Sequence, residues 1–183
     1  KRVPLNSPHN GREHNIDVDK NYTRQEKYTL YIEYVAKPDE FDAKGSAAIN
    51  DAKGLYFINP RGTEAGKPTQ IWTQGETEAT SVYVPTIDKP NQKTTQEFLL
   101  TVPAKYVTLS NGKLVSQKTN ADGTRTDDWK MDLPHAPYLF FMGVGEYSII
   151  KDSYKGKEVN YYVEKEYAPV ARKIFGHTPE MIG

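Results

Sequence analysis

Residues 98–110 read Phe-Leu-Leu-Thr-Val-Pro-Ala-Lys-Tyr-Val-Thr-Leu-Ser, and this stretch decides the fold class. Its two halves are rich in apolar, β-branched and aromatic residues, which favour the pleated surface of a sheet. Pro103 separates the halves, because proline cannot donate a main-chain hydrogen bond to a ladder. The stretch therefore predicts two consecutive β-strands.

Short runs of the same character lie on both sides of this stretch. Asn111-Gly112 follows it directly and predicts a hairpin, because these residues accept the positive φ angles of a two-residue turn. In the run that contains Trp129 and Met131, these two residues share one face and Asp128 and Lys130 share the other, as in a half-buried strand. Strands are predicted at residues 28–35, 54–58, 71–74, 98–102, 106–110, 114–117, 124–131, 139–142, 144–150 and 159–163.

The composition excludes several classes of protein. The chain has 183 residues, a length typical of one domain, and its 24 basic residues balance its 24 acidic residues. Without a basic excess, the chain does not resemble a nucleic-acid binder. It has no cysteine, so it has no disulfide and no thiolate ligand for zinc. No apolar run is long enough to span a membrane.

The pattern changes near the C-terminus. Residues 164–175 place apolar side chains at near-helical spacing, and Gly176 ends this predicted helix. Thr178-Pro179-Glu180 then resembles the start of a second helix. We predict a mainly β protein, an antiparallel β-sandwich over residues 1–163 with incomplete N-terminal strands, and a short helical tail over residues 164–183. Because the second helix opens but is not completed, we expect the chain to be a fragment.

The search for catalytic chemistry finds no familiar motif. The four histidines, His9, His14, His135 and His177, lack the spacing of zinc ligands, so no metal site is predicted within the chain. No P-loop, dinucleotide fingerprint or nucleophile elbow is present. One polar segment, residues 72–80, follows a strand and combines Gly75 with two acids. From composition alone it predicts a bulge and turn.

That segment carries a resemblance to a known family. Thr73-Gln74-Gly75-Glu76, followed by Pro85-Thr86-Ile87-Asp88-Lys89-Pro90 and Lys93, resembles the signature of the N-terminal, non-catalytic β domain of the aminopeptidase N-like zinc metallopeptidases. Three further segments resemble that domain in the same order. They are Gly54-Leu55-Tyr56-Phe57, Pro137-Tyr138-Leu139-Phe140-Phe141 with Val144-Gly145-Glu146-Tyr147, and the tail over residues 167–182, so that the resemblance spans residues 28–183.

The chain also departs from the family pattern. Thr80-Ser81 stand where Ala-Arg is usual, Thr86 stands where Cys is frequent, and Thr77 replaces a common Pro. The zinc motif H-E-x-x-H and the G-x-M-E-N strand of the family are absent. The resemblance therefore implies a saddle-like β domain without its catalytic domain, with the zinc ligands of the parent enzyme outside this chain, and a fragment that is inactive alone.

The resemblance also assigns substrate-binding residues. Glu76 inherits the role of the carboxylate that holds the α-ammonium of a peptide substrate, and Gln74 is expected to line the pocket of the first side chain. Gly75 between them is interpreted as leaving room for substrate or for the catalytic domain. Asp88 is interpreted as a structural residue that bonds main-chain N–H groups of its loop. Within this chain, no catalytic residue and no metal ligand is predicted.

Three functions remain open at this stage. The first is a domain of a zinc aminopeptidase that removes residues from peptide N-termini, with the peptide N-terminus and the chain's own catalytic domain as partners. The second is a stand-alone β-sandwich binding module for glycan or protein, without catalysis. The third is a domain that only buttresses the catalytic domain. The compartment is not determined by the sequence, although a soluble protein, cytoplasmic or periplasmic, is expected.

Overall fold

The computed structural model describes residues 3–11, 13–41 and 52–183. The chain divides into two compact units, Lys1–Tyr34 and Val35–Gly183. No described helix is long and apolar enough to cross a lipid bilayer.

The first unit is held by local polar contacts. His9 and His14 form an isolated antiparallel bridge, and the Asn6 amide donates a hydrogen bond of 2.8 Å to Asp17. The prediction of a strand at residues 28–35 is wrong, because these residues pair with no strand in the part of the chain described. Strand propensity describes how side chains fit a sheet, but a strand also needs a neighbouring edge for its main-chain groups.

The described residues of the second unit form three antiparallel sheets. A four-stranded sheet has the order β1-β2-β7-β4, a three-stranded sheet has the order β3-β6-β5, and β8 and β9 form a hairpin. The strands are β1 (Leu55–Ile58), β2 (Gln70–Thr73), β3 (Thr94–Pro103), β4 (Val107–Ser110), β5 (Lys113–Thr119), β6 (Thr124–His135), β7 (Met142–Gly145), β8 (Tyr147–Tyr154) and β9 (Lys157–Glu164).

The four-stranded and three-stranded sheets pack face to face. Phe98 on β3 meets Phe140 edge-on, with 6.2 Å between the ring centroids. The Trp129 indole on β6 donates a hydrogen bond of 2.9 Å to the Thr108 hydroxyl on β4. Side chains from two inner faces thus interdigitate, which is the arrangement of a β-sandwich. The predicted fold class, a mainly antiparallel β-sandwich with a helical tail, is confirmed.

A charged network lies between these sheets. The Asp127 side chain is fully buried, and the guanidinium of Arg125 donates to both its oxygens, at 2.6 and 2.8 Å. Thr108 and Gln117 donate two more hydrogen bonds, at 2.6 and 3.0 Å. Burial alone would raise the pKa of the Asp127 carboxyl, but these hydrogen bonds outweigh burial, so the pKa lies below its usual value.

The predicted hairpin at Asn111-Gly112 is also wrong. The strands on either side, β4 and β5, belong to different sheets, so this turn carries the chain across the sandwich. Gly112 has φ +85°, and a Cβ there would lie 1.9 Å from the carbonyl oxygen of Lys130. The Asn111 side chain bonds the carbonyl of Leu139 and the N–H of Phe141. Of the two residues only Gly112 has the predicted positive φ, and the strand partner depends on tertiary packing.

The C-terminal tail is helical, as predicted. A 3₁₀ helix, Lys165–Val170, runs into α1 (Ala171–Phe175), and α2 (Thr178–Met181) follows. Phe175 stacks on Tyr161 of β9 with 5.6 Å between ring centroids, and Arg172 bonds Asp152 of β8 at 3.1 Å. Short 3₁₀ helices also occur at Pro38–Glu40, Thr80–Val82 and Pro137–Leu139.

Candidate functional site

The candidate site begins where β2 ends. In β2, Trp72 stacks on Tyr56 of β1, with ring centroids 4.4 Å apart and planes at 15°. Thr73 points to the opposite face, is buried, and accepts a hydrogen bond of 3.0 Å from the Met142 N–H. The Gln74 N–H donates to the Gly54 carbonyl at 2.9 Å, so pairing continues one residue beyond the strand. Alternation therefore places the Gln74 side chain with Trp72.

Gln74 and Glu76 carry the free polar groups of this segment. Gln74 is half-buried and Glu76 is exposed at the start of a turn. Neither side chain makes a hydrogen bond or ion pair with any residue that the structure describes. The peptide bond between Glu76 and Thr77 is cis. Because β2 ends at Thr73, strand alternation does not extend to Glu76, and the strand bounds do not place the two side chains on one face.

The interpretation of Gly75 as open space is wrong. Gly75 is buried, and a Cβ at this position would lie 2.4 Å from the Thr80 hydroxyl and 2.5 Å from the Tyr138 carbonyl oxygen. Thr80 is fully buried and donates a hydrogen bond of 2.8 Å to the Pro137 carbonyl. The missing side chain therefore lets the turn pack against the 3₁₀ helix Pro137–Leu139.

Gly75→Ala should destabilise the domain by about 1–3 kcal/mol, because the added methyl group overpacks a site that is partly main chain. Chemical denaturation followed by circular dichroism measures this loss. Thr77→Ala, two residues away and exposed, is the control and should change the free energy of unfolding by less than about 0.5 kcal/mol. Equal stability of Gly75→Ala and the wild type would contradict the close packing.

A second loop fixes the turn from its other side. Lys89 donates to both oxygens of Glu78, each at 2.8 Å, and the Ser81 N–H donates to Asp88 at 2.8 Å. Burial raises the pKa of the Asp88 carboxyl, while the hydrogen bond from Ser81 opposes this rise. Asp88 is thus a structural residue, as its sequence context predicted. The Glu78–Lys89 pair was missed, because no spacing rule connects two loops.

The described residues contain no group of three or more metal-ligating side chains. His9 and His14 face each other with ring centroids 4.9 Å apart, but two imidazoles without a further ligand do not make a zinc site. In the candidate site the Gln74 amide and the Glu76 carboxylate have no partner among the described residues, and a carboxylate can accept hydrogen bonds from a cation.

A family model for the Peptidase M1 N-terminal domain matches residues 4–139. The chain belongs to this family. The match begins before residue 28, where the motif resemblance began, and it includes Gln74, Glu76 and the loop that holds their turn. The predicted family is therefore confirmed, although the motif residues after residue 139, including the tail over residues 167–182, lie outside the match.

Two further similarities concern much longer proteins. The M1 N-terminal domain is 24% identical over 131 residues to transcription initiation factor TFIID subunit 2 of Gallus gallus, covering 70% of this chain and 11% of that protein. It also resembles the crystal structure of Legionella pneumophila aminopeptidase A in complex with aspartic acid. The TM-score is 0.52 at 23% identity, over 63% of this chain and 14% of that one. The chain thus spans a small part of each, and the structural likeness shows a shared fold.

Proposed function

We propose that this M1 N-terminal domain is part of a zinc aminopeptidase, and that Glu76 anchors the α-ammonium group of the peptide substrate. The observation that carries the proposal is the unpaired Glu76 carboxylate on a turn that is otherwise held firmly. Gly75 and Thr80 fix the turn to the Pro137–Leu139 helix, and the Glu78–Lys89 pair fixes it to the neighbouring loop. A preorganised acceptor of this kind binds a cation at low entropic cost.

The chemistry of the two side chains fits recognition of a peptide N-terminus. A carboxylate accepts charge-assisted hydrogen bonds from an ammonium group, which are stronger than bonds between neutral groups. The Gln74 amide offers both a donor and an acceptor beside the first side chain of the substrate. Holding the amine at a set place positions the first peptide bond for attack, which lowers the entropic part of the barrier.

We propose that the zinc ligands of the parent enzyme lie outside this chain, and the described residues contain no group of three or more metal-ligating side chains. In zinc peptidases the metal polarises the scissile carbonyl and activates water. No step of that chemistry is assigned to residues of this domain, whose role is to bind and orient.

The exposed apolar side chains of the helical tail support the presence of a second domain as partner. Ile174, Met181 and Ile182 are 60%, 82% and 52% exposed, and Tyr167 and Val170 are exposed as well. Apolar side chains at this density on two short helices are typical of a surface that another domain covers. We propose that residues 1–163 form the β domain and residues 164–183 lead into the catalytic domain.

The test uses the full-length protein in which this domain occurs. We expect it to hydrolyse aminoacyl-nitroanilides, to contain stoichiometric zinc, to lose activity with a chelator and to regain it on zinc addition. The 183-residue chain alone should be inactive. A full-length protein that is folded, zinc-free and inactive would contradict the proposal.

One observation favours a second candidate, a protein-binding module without catalysis. The curated relative described above is a transcription initiation factor by name, not a peptidase. A binding role in a larger assembly is therefore compatible with this domain family. The absence of H-E-x-x-H from the full-length protein, together with the lack of hydrolysis, would favour this candidate.

A further inference from the structure

A groove of about 430 Å³, lined by neither Gln74 nor Glu76, lies beside the first half of β3. One wall is the loop from Val84 to Ile87, the other is the strand from Thr94 to Phe98, and Phe140 also contacts the space. Gln92 and Lys93 lie at the point where the loop joins the strand. The volume is within the range of ligand-binding clefts, about 300–1,000 Å³.

The strand wall of this groove is an edge. Five consecutive residues of β3 line the groove, whereas successive side chains of a strand point to opposite faces. Side chains on opposite faces cannot all line one groove, so the surface that these five residues have in common is the main-chain edge of the strand. Within the described part of the chain, β6 is the only strand paired with β3. The other edge of β3 therefore presents unpaired N–H and C=O groups to the groove.

The two edge strands of this sheet are not alike. On β5, Lys113 and Lys118 are exposed, and lysine on an edge strand discourages pairing with another chain. Between Thr94 and Phe98, β3 has neither lysine nor proline. The groove side does carry one irregularity, a register shift of β3 against β6 between Thr94 and Gln96, so the regular part of this edge begins at Gln96.

The remaining groups of the groove define what kind of strand fits. Pro85 and Ile87 are exposed, Ile87 to 68%, and form an apolar wall opposite the edge. Lys93 is exposed and makes no ion pair or hydrogen bond with any described residue. The Glu97 carboxylate, by contrast, lies 4.0 Å from the Lys130 ammonium. An uncompensated cation at one end of the groove favours a partner with a negative charge there.

We propose that this groove binds an extended, acidic peptide segment, which adds a strand to the free edge of β3 and places a carboxylate beside Lys93. Main-chain hydrogen bonds supply binding energy in such strand addition, and pockets for alternate side chains supply specificity. At about 3.3 Å per residue, the lining part of β3 accommodates roughly five residues of the segment. This site shares no residue with the Gln74–Glu76 turn and does not depend on the proposed function.

The probe is the peptide acetyl-Val-Thr-Val-Thr-Glu-amide, labelled with a fluorophore and titrated with the 183-residue chain. Its blocked ends prevent recognition as a free N-terminus. We expect saturable binding by fluorescence anisotropy, with amide NMR shifts at Thr94 to Phe98. Lys93→Glu should weaken binding about tenfold, equivalent to about 1.4 kcal/mol. Ile87→Ser should weaken it by removing apolar contact.

Matched controls distinguish binding at this groove from nonspecific electrostatic attraction between the peptide and the chain. Lys118→Glu reverses an exposed, unpaired lysine on the opposite edge strand and should leave binding unchanged. A peptide that is N-methylated at its central valine should bind more weakly, since it cannot complete the ladder. The proposal would be overturned if Lys93→Glu and Lys118→Glu weakened binding equally, or if the methylated peptide bound as well as the unmethylated one. It would also be overturned if the amide NMR signals of Thr94 to Phe98 did not shift at millimolar peptide. A self-association of the chain through this edge that the peptide does not displace would overturn it as well.

Discussion

Glu76→Ala in the full-length enzyme should lower kcat/KM for free-amine substrates by roughly thirty-fold to a few thousand-fold. Under the proposed function, the substrate ammonium would lose its anion in a site closed by a catalytic domain. Truncating one partner of a buried, hydrogen-bonded charge pair costs about 2–5 kcal/mol, and about 1.4 kcal/mol corresponds to a factor of ten. Steady-state kinetics with aminoacyl-nitroanilides measure the loss.

Three controls make this result specific. Glu76→Gln keeps the shape and one acceptor, so it should lose less activity than Glu76→Ala. Glu158→Ala removes an exposed acid on β9, away from the turn, and should leave kcat/KM unchanged. A substrate with an acetylated N-terminus should lose little with Glu76→Ala. Wild-type rates in an active, zinc-containing Glu76→Ala enzyme would rule out the anchor and leave the buttress function, while the aminopeptidase assignment would stand.

Asp127→Ala should destabilise the domain by about 3–5 kcal/mol, because it leaves the Arg125 guanidinium largely inside the sandwich without its anion. The side chain of Arg125 is 20% exposed and that of Asp127 is 0% exposed, so water replaces little of the lost contact. A loss of this size is a large fraction of the roughly 5–15 kcal/mol that stabilises a typical domain. Urea unfolding measures it.

The buried Asp127 carboxylate should also make the stability of the domain depend on pH. Its pKa is lower in the folded state than in the unfolded chain, so its contribution to stability is complete above the unfolded value of about 3.9 and is lost as the pH falls through the folded pKa. The Asp127→Asn variant should lack this acid-dependent contribution to stability. Asp132→Ala, on the same strand with a side chain 80% exposed, is the control and should change little. A wild-type acid-unfolding curve identical to that of Asp127→Asn would contradict the network.

The family and the β character of the chain were predictable because they depend on local sequence. Alternation around Trp129 correctly predicted which side chains of β6 face the core, since side-chain direction in a strand follows from position alone. The Asp122-Gly123 dipeptide has a composition typical of tight turns, and it joins the paired strands β5 and β6. The site segment was recognised from Gln74 and Glu76 at fixed spacing.

The pairing of strands was less predictable. Gly112 has the positive φ that its composition predicts, but Asn111 does not, and the turn joins two sheets. Residues 28–35 have strong strand propensity and no strand partner among the described residues. Which strands pair depends on contacts between residues far apart in the chain. No short window of sequence contains that information.

By itself, the sequence determined the fold class, the helical tail, the family and the identity of Gln74 and Glu76 as candidate binding residues. Contacts between distant segments were needed to show that Gly75 is a packing contact, that Glu78 pairs with Lys89 across two loops, and that no described strand covers the edge of β3 beside Lys93. The physical reason is that propensity and turn chemistry act over a few residues. Close packing, ion pairing between loops and the exposure of an edge arise only when distant segments meet.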